Sequence, residues 1–182
     1  MSGNADAAGG PGSIRVDVSV RHAPWRRAAQ GVVGSVRAAA RAAAGAARPA
    51  LPPVEISVVL ADDAFVAGLN EGYRGKAGPT NVLSFPALDL APRTAIPRGP
   101  AGTTALGDVV LAFETTRREA AESGRPVADH LAHLVVHGVL HLLGYDHETA
   151  AQARRMEALE VSVLAGLGIA NPYHPRHAVR AR

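Results

Sequence analysis

The sequence predicts an α+β, mixed α/β layered fold in which a small mixed β-sheet packs against helices. Three observations predict it. The chain has 182 residues, 47% of them hydrophobic, which suits one domain with a sizeable buried core. Four short stretches carry strand patterning, and helical stretches separate the early strands and then follow as a row of three. The order βαβαββααα mixes crossover and hairpin connections, so a sheet with both parallel and antiparallel neighbours is expected.

Residues 1–12 are small and polar and are expected to form a disordered leader. Ile14, Val16, Val18 and Val20 then alternate with Arg15, Asp17 and Ser19, the period of a half-buried strand over 14–20. Residues 24–47 read as one helix, with Pro24 in the first turn and Gly45 and Pro49 near its end. A second strand covers 54–60, and Asp62 is placed to cap a short helix running to about 71. Residues 80–85 are rich in β-formers and stop at Pro86. Residues 87–104, rich in proline and glycine and without periodicity, read as a surface loop long enough to be mobile or functional. A strand over 106–113 and helices over 114–123, 127–143 and 150–167 complete the series, with Gly124-Arg-Pro126 and Gly144 as breaks. The expected organisation is a leader over 1–12, a single domain over 13–174 and a basic tail over 175–182.

Composition narrows the chemistry. There is no cysteine, which excludes disulfides, thiolate nucleophiles, iron–sulfur clusters and sulfur-based zinc sites. A metal here must sit on His, Asp or Glu. The opening MSGNADAAGG lacks the basic patch and apolar run of a secretory signal, and no apolar stretch approaches membrane length, so a cytoplasmic protein without membrane association is expected. Lys76 is the single lysine among 19 cations, which leaves 18 arginines. Residues 15–48 hold seven arginines against one acid, Asp17, and the tail adds Arg176, Arg180 and Arg182. Such a face suits a polyanion, although a solvated helix surface in an arginine-rich chain has the same composition.

The strongest local signal is His137-Gly-Val-Leu-His141-Leu-Leu-Gly144-Tyr-Asp-His147. Helix residues four apart lie on one face about 6 Å apart along the axis, so His137 and His141 point to one place. Gly144 stands where the helix must stop and can take the left-handed conformation that returns the chain, bringing His147 to the same point. Three imidazoles leave one position of a tetrahedral zinc open. The alternative is a set of helix histidines bound to backbone or solvent, but the surrounding helix is apolar and buried histidines need partners. His133, one turn earlier on the stripe, is assigned to the core or to support of the ligands; His22, His174 and His177 are assigned to the surface. Asp146 could orient an imidazole, and no general base is identifiable.

The same spacing serves metzincin proteases, which makes a zinc-dependent protease a rival reading. Those enzymes carry a glutamate after the first histidine as general base. Gly138 stands there, and a glycine inside a helix points to a close neighbour.

A second segment runs from Leu69 through Tyr73-Arg74-Gly-Lys76 to Thr80-Asn81-Val-Leu-Ser84-Phe-Pro86, with its cations in a glycine-rich turn before a strand. Together with the histidine string, Leu106-Gly-Asp-Val, Met156-Glu-Ala-Leu-Glu160 and Asn171-Pro-Tyr173, it closely resembles the YbeY family of bacterial endoribonucleases and ribosomal RNA maturation factors. The resemblance implies one zinc ion on His137, His141 and His147, catalytic roles for Arg74 and His137, and substrate contacts from Arg74, Lys76, Asn81 and Ser84. It also implies single-stranded RNA and ribosomal RNA precursor as substrates, a role in maturing the 3′ end of 16S RNA and in ribosome quality control, and the small ribosomal subunit as partner. A non-catalytic ribosome-assembly RNA-binding factor with a structural metal stays open as a third class. A monomer is the default expectation.

Overall fold

The computed structural model describes residues 12–92 and 94–174. The expected leader, apart from Gly12, and the basic tail with Arg176, His177, Arg180 and Arg182 lie outside the described residues. In chain order the elements are β1 (Ile14–Val20), α1 (Pro24–Ala28), α2 (Val32–Ala47), β2 (Val54–Ala61), α3 (Asp63–Arg74), β3 (Val82–Pro86), β4 (Thr104–Ala112), α4 (Phe113–Glu122), α5 (Val127–Leu142) and α6 (Ala150–Gly166).

The sheet is mixed, in the order β1-β2-β4-β3. β1, β2 and β4 are mutually parallel neighbours, with Val16 opposite Ile56 and Val58 opposite Val109, while β3 returns antiparallel with Ser84 opposite Val109. The register of β4 slips by one residue at Leu106, and Gly107 takes φ +131° there, where a Cβ would strike the Phe85 carbonyl. Alternation along the strands builds two apolar layers. Val58, Leu60, Val109 and Leu111 join the main core with α1, α2, α5 and α6. Ala61, Leu83, Val110 and Ala112 form a smaller cluster with Val66 of α3.

One element departs from expectation. The helix predicted over 24–47 is two helices, because Gly31 takes φ +68° and reverses the chain between them. The break lets Trp25 insert completely, its indole donating to the Ala61 carbonyl at 2.9 Å and meeting the Phe113 ring edge-on. The other elements fall within about three residues of their expected bounds, the largest difference being α3, which runs on to Arg74. Asp62 does cap α3, accepting from the Phe65 N–H at 2.8 Å.

Four of the seven arginines of 15–48 hydrogen-bond within the molecule, Arg15 to the Glu55 carboxylate at 2.7 Å and three to main-chain carbonyls. Arg37 and Arg41 of α2 donate from Nε to the Val16 and Ile14 carbonyls at 3.2 and 3.1 Å. Arg48 donates to the carbonyls of Thr94, Ala91 and Leu143 at 2.6, 2.8 and 3.2 Å. Arg48 thereby ties the proline-rich loop to the end of α5, and Thr104 Oγ1 holds the loop again by donating to the Pro97 carbonyl. None of the helices among the described residues is long and apolar enough to cross a membrane.

Candidate metal centre

Helix α5 packs on β3 and β4 and against α2, α4 and α6, which buries Leu131, Leu134, Val135, Val139, Leu140 and Leu142 and leaves one polar stripe. That stripe is His133, His137 and His141. Gly138 faces the sheet: a Cβ there would lie 2.6 Å from Val109 Cγ1 and 3.2 Å from Ser84 Oγ, so the bare backbone allows α5 to sit on β3 and β4. Helix α5 closes in a Schellman motif, with Gly144 N–H donating to the His141 carbonyl at 3.0 Å and Tyr145 N–H to the Leu140 carbonyl at 3.1 Å. Gly144 takes φ +84°, and a Cβ on it would strike the Leu90 carbonyl. No other residue meets both demands. The returning chain carries His147, whose backbone N–H donates to Asp146 Oδ1 at 2.7 Å. Asp146 therefore holds the third histidine's backbone.

Candidate ligand atoms of His137, His141 and His147 all lie within 4.8 Å of one another, and the Nε2 atoms of His137 and His141 are 3.1 Å apart. Tetrahedral zinc bonded at about 2.0–2.1 Å separates its nitrogens by about 3.4 Å, so these rings need only small adjustments to share an ion. Burial, followed by the neighbouring His137 and His147, pushes the His141 pKa down to about 4, which keeps its imidazole in the neutral, metal-binding form. The group could hold a metal.

Behind the ligands is a carboxylate that sequence reasoning missed. Glu160 of α6 is fully buried; its Oε1 lies 2.8 Å from His137 Nδ1, and its Oε2 is 3.0 Å from His133 Nε2 and accepts from the Tyr173 hydroxyl. Burial works to raise its pKa, but the hydrogen bonds from His133, His137 and Tyr173 bring it down to about 2. The available signal was its spacing: Glu160 lies four residues after Met156 and four before Leu164, on the buried face of α6. A second missed cluster stands at the start of β3. Glu119 accepts from Asn81 Nδ2 at 2.9 Å and lies 2.9 Å from His130 Nε2.

The three histidines open onto a cleft of about 820 Å³ whose other lining residues include Tyr73, Arg74, Asn81 and Ser84. Arg74 lies in the last turn of α3 rather than in a loose glycine turn, with Gly75 at φ +62° capping the helix behind it. Its side chain is exposed at the cleft. Lys76 is exposed and is not among the lining residues. Asn81 and Ser84 line the cleft with their polar atoms already engaged. Asn81 accepts from the Val82 N–H and donates to Glu119, and Ser84 Oγ donates to the Gly138 carbonyl at 3.1 Å. His22, expected at the surface, is partly covered, resting on Phe113 with Glu114 at 3.3 Å.

Known proteins are similar to the chain. A protein of Paramagnetospirillum magneticum named Endoribonuclease YbeY is 58% identical over 120 residues, 66% of this chain and 71% of that one. A protein of the same name from Rhodospirillum rubrum is 49% identical over 166 residues, 88% of this chain and 82% of that one. A solution structure of a Thermotoga maritima protein, 19% identical, overlays with a TM-score of 0.48 over 88% of this chain and 99% of its own. The family model described as Endoribonuclease YbeY matches residues 17–168, a span that holds Arg74 and all three clustered histidines, and the chain belongs to the YbeY family.

Proposed function

We propose that the chain is a metal-dependent endoribonuclease that cuts single-stranded RNA, with ribosomal RNA precursor as substrate, the small ribosomal subunit as partner and the cytoplasm as its compartment. One observation carries the reading: three converging imidazoles and Arg74 open onto one cleft. The donor set suits zinc, since it consists of nitrogens alone, converges from three sides and offers a cleft-facing position for a water or phosphate oxygen. The bound ion supplies Lewis acidity and a water of lowered pKa. His137, His141 and His147 hold it. Arg74 places a guanidinium where negative charge develops on the phosphoryl group, and its paired N–H donors match two oxygens at once. Tyr73 is 74% exposed at the cleft, with its ring steadied edge-on by Phe85 at 5.1 Å, and offers a face to an unstacked base. That face suits a single strand.

The protease reading is not favoured. Residue 138 is glycine and supplies no carboxylate, and a side chain there would crowd Val109 and Ser84, so the glutamate general base of that mechanism has no counterpart at this position. A structural metal is not favoured either, because three ligands beside an open cleft leave the site unclosed.

The test is elemental analysis alongside cleavage of a single-stranded RNA by wild type, His141→Ala and Arg74→Lys. About one zinc per chain is expected in wild type and Arg74→Lys, with loss of both metal and cleavage in His141→Ala. Cleavage by Arg74→Lys should fall about 100-fold, the scale for losing an oriented donor to the transition state. Wild-type protein that takes up no zinc, or cleavage by Arg74→Lys at the wild-type rate, would overturn the reading.

A further inference from the structure

We propose that Glu160 is a positioning residue for His137, clamped from behind by His133 and Tyr173, so that the segment 171–174 forms part of the metal centre. The inference rests on the reading above that His137 is a ligand. Glu160 Oε1 lies 2.8 Å from His137 Nδ1, and a carboxylate can only accept. The proton of His137 therefore belongs on Nδ1, which leaves the Nε2 lone pair directed at His141 Nε2, 3.1 Å away.

Both oxygens of the carboxylate are used. Oε2 receives the Tyr173 hydroxyl and lies 3.0 Å from His133 Nε2. His133 Nδ1 is buried without a hydrogen-bond partner, so the ring's proton sits on Nε2, where Glu160 accepts it. Three donors thus surround one fully buried carboxylate. Tyr173 is presented by a strapped segment: its own N–H donates to Asn171 Oδ1 at 2.8 Å, and Arg125 Nη2 donates to the His174 carbonyl at 3.1 Å. Glutamine at 160 has the same shape but a single acceptor oxygen, so in either orientation its amide N–H groups meet donors, at His137 Nδ1 in one and at His133 and Tyr173 in the other.

The experiment uses metal-free wild type, Glu160→Gln and Tyr173→Phe. Long-range nitrogen–proton NMR reads which ring nitrogen of His137 carries the proton, and a chelator competition reads zinc affinity. In wild type the proton is expected on Nδ1 alone. Glu160→Gln should show both tautomers and bind zinc about 10–100-fold more weakly, the usual effect of removing a carboxylate behind a ligating histidine. Tyr173→Phe should keep the tautomer and weaken zinc by less than about tenfold. A wild-type tautomer pattern together with wild-type zinc affinity in Glu160→Gln overturns the role of Glu160. Unchanged zinc affinity in Tyr173→Phe, which loses only an oxygen and serves even if Glu160→Gln fails to fold, removes segment 171–174 from the centre. If wild type binds no zinc, the metal reading itself fails, while the tautomer spectrum still decides the part played by Glu160.

Discussion

Adding one methyl group at Gly138 and one at Gly45 should move stability in opposite directions. Both glycines lie in helices, where alanine is intrinsically better by about 1 kcal/mol. At Gly45 in α2 a Cβ would meet nothing within 4 Å, so that gain is expected nearly whole. At Gly138 in α5 the new Cβ would lie 2.6 Å from Val109 Cγ1 and 3.2 Å from Val109 Cγ2 and Ser84 Oγ. Val109 is fully buried, so its methyls cannot swing into solvent. Either α5 lifts off the strands or Val109 leaves its rotamer, at the cost of about 1–3 kcal/mol typical of overpacking. After the helix gain, Gly138→Ala should be destabilising by roughly 1 kcal/mol, with Tm lower by about 2–4 °C in a chain of this size. Gly45→Ala should raise Tm by a similar amount. Thermal unfolding of the two metal-free variants beside wild type is the assay. If Gly138→Ala is as stable as Gly45→Ala, the close approach of α5 to the strands is wrong, and with it the structural objection to a general base at 138.

Arg48→Ala should leave metal content intact but release the carbonyls of Ala91, Thr94 and Leu143, with a loss of about 2 kcal/mol. Trypsin should then cut after Arg98 much faster than in wild type, and an unchanged digestion rate would show that the loop does not depend on this clamp. The pKa of His130 is lowered from 6.5, chiefly by burial and also by its neighbours His133 and Arg125, against the pull of Glu119. The unfolded chain therefore takes up a proton as pH falls through about 6.5 while the folded protein resists, so this residue withdraws stability as the medium becomes acidic. His130→Gln should flatten the fall of Tm below pH 6.5 in metal-free protein, and an equally steep fall would assign it to other groups.

The histidine string disclosed three candidate ligands because one helical period and one glycine turn are local geometry. The same holds for Asp62, whose cap reaches only to Phe65. Glu160 escaped because its partners lie 23 and 27 residues away, and contact across that separation depends on how α6 crosses α5. The break at Gly31 escaped for a related reason: alanine-rich sequence on both sides favours a continuous helix, and only the site that receives Trp25 requires the turn. Asn81 and Ser84 read as substrate groups from their polarity and both line the cleft, but which of their hydrogen bonds are already made is decided by Glu119 and Gly138, 38 and 54 residues away.

The engagement of Arg37 and Arg41 bears on how the molecule stays apart from its own copies. β1 is an outer strand of the sheet, and an outer strand presents carbonyls on which an extended segment of another chain can add itself. The guanidinium groups of α2 already occupy the Ile14 and Val16 acceptors, laying charge along the margin where a foreign strand would pair. Part of the arginine content that looks like attraction for nucleic acid thus opposes aggregation. Arg37 and Arg41 are both exposed and commit only Nε, so the same side chains can guard the sheet margin and still turn their terminal N–H groups toward a polyanion.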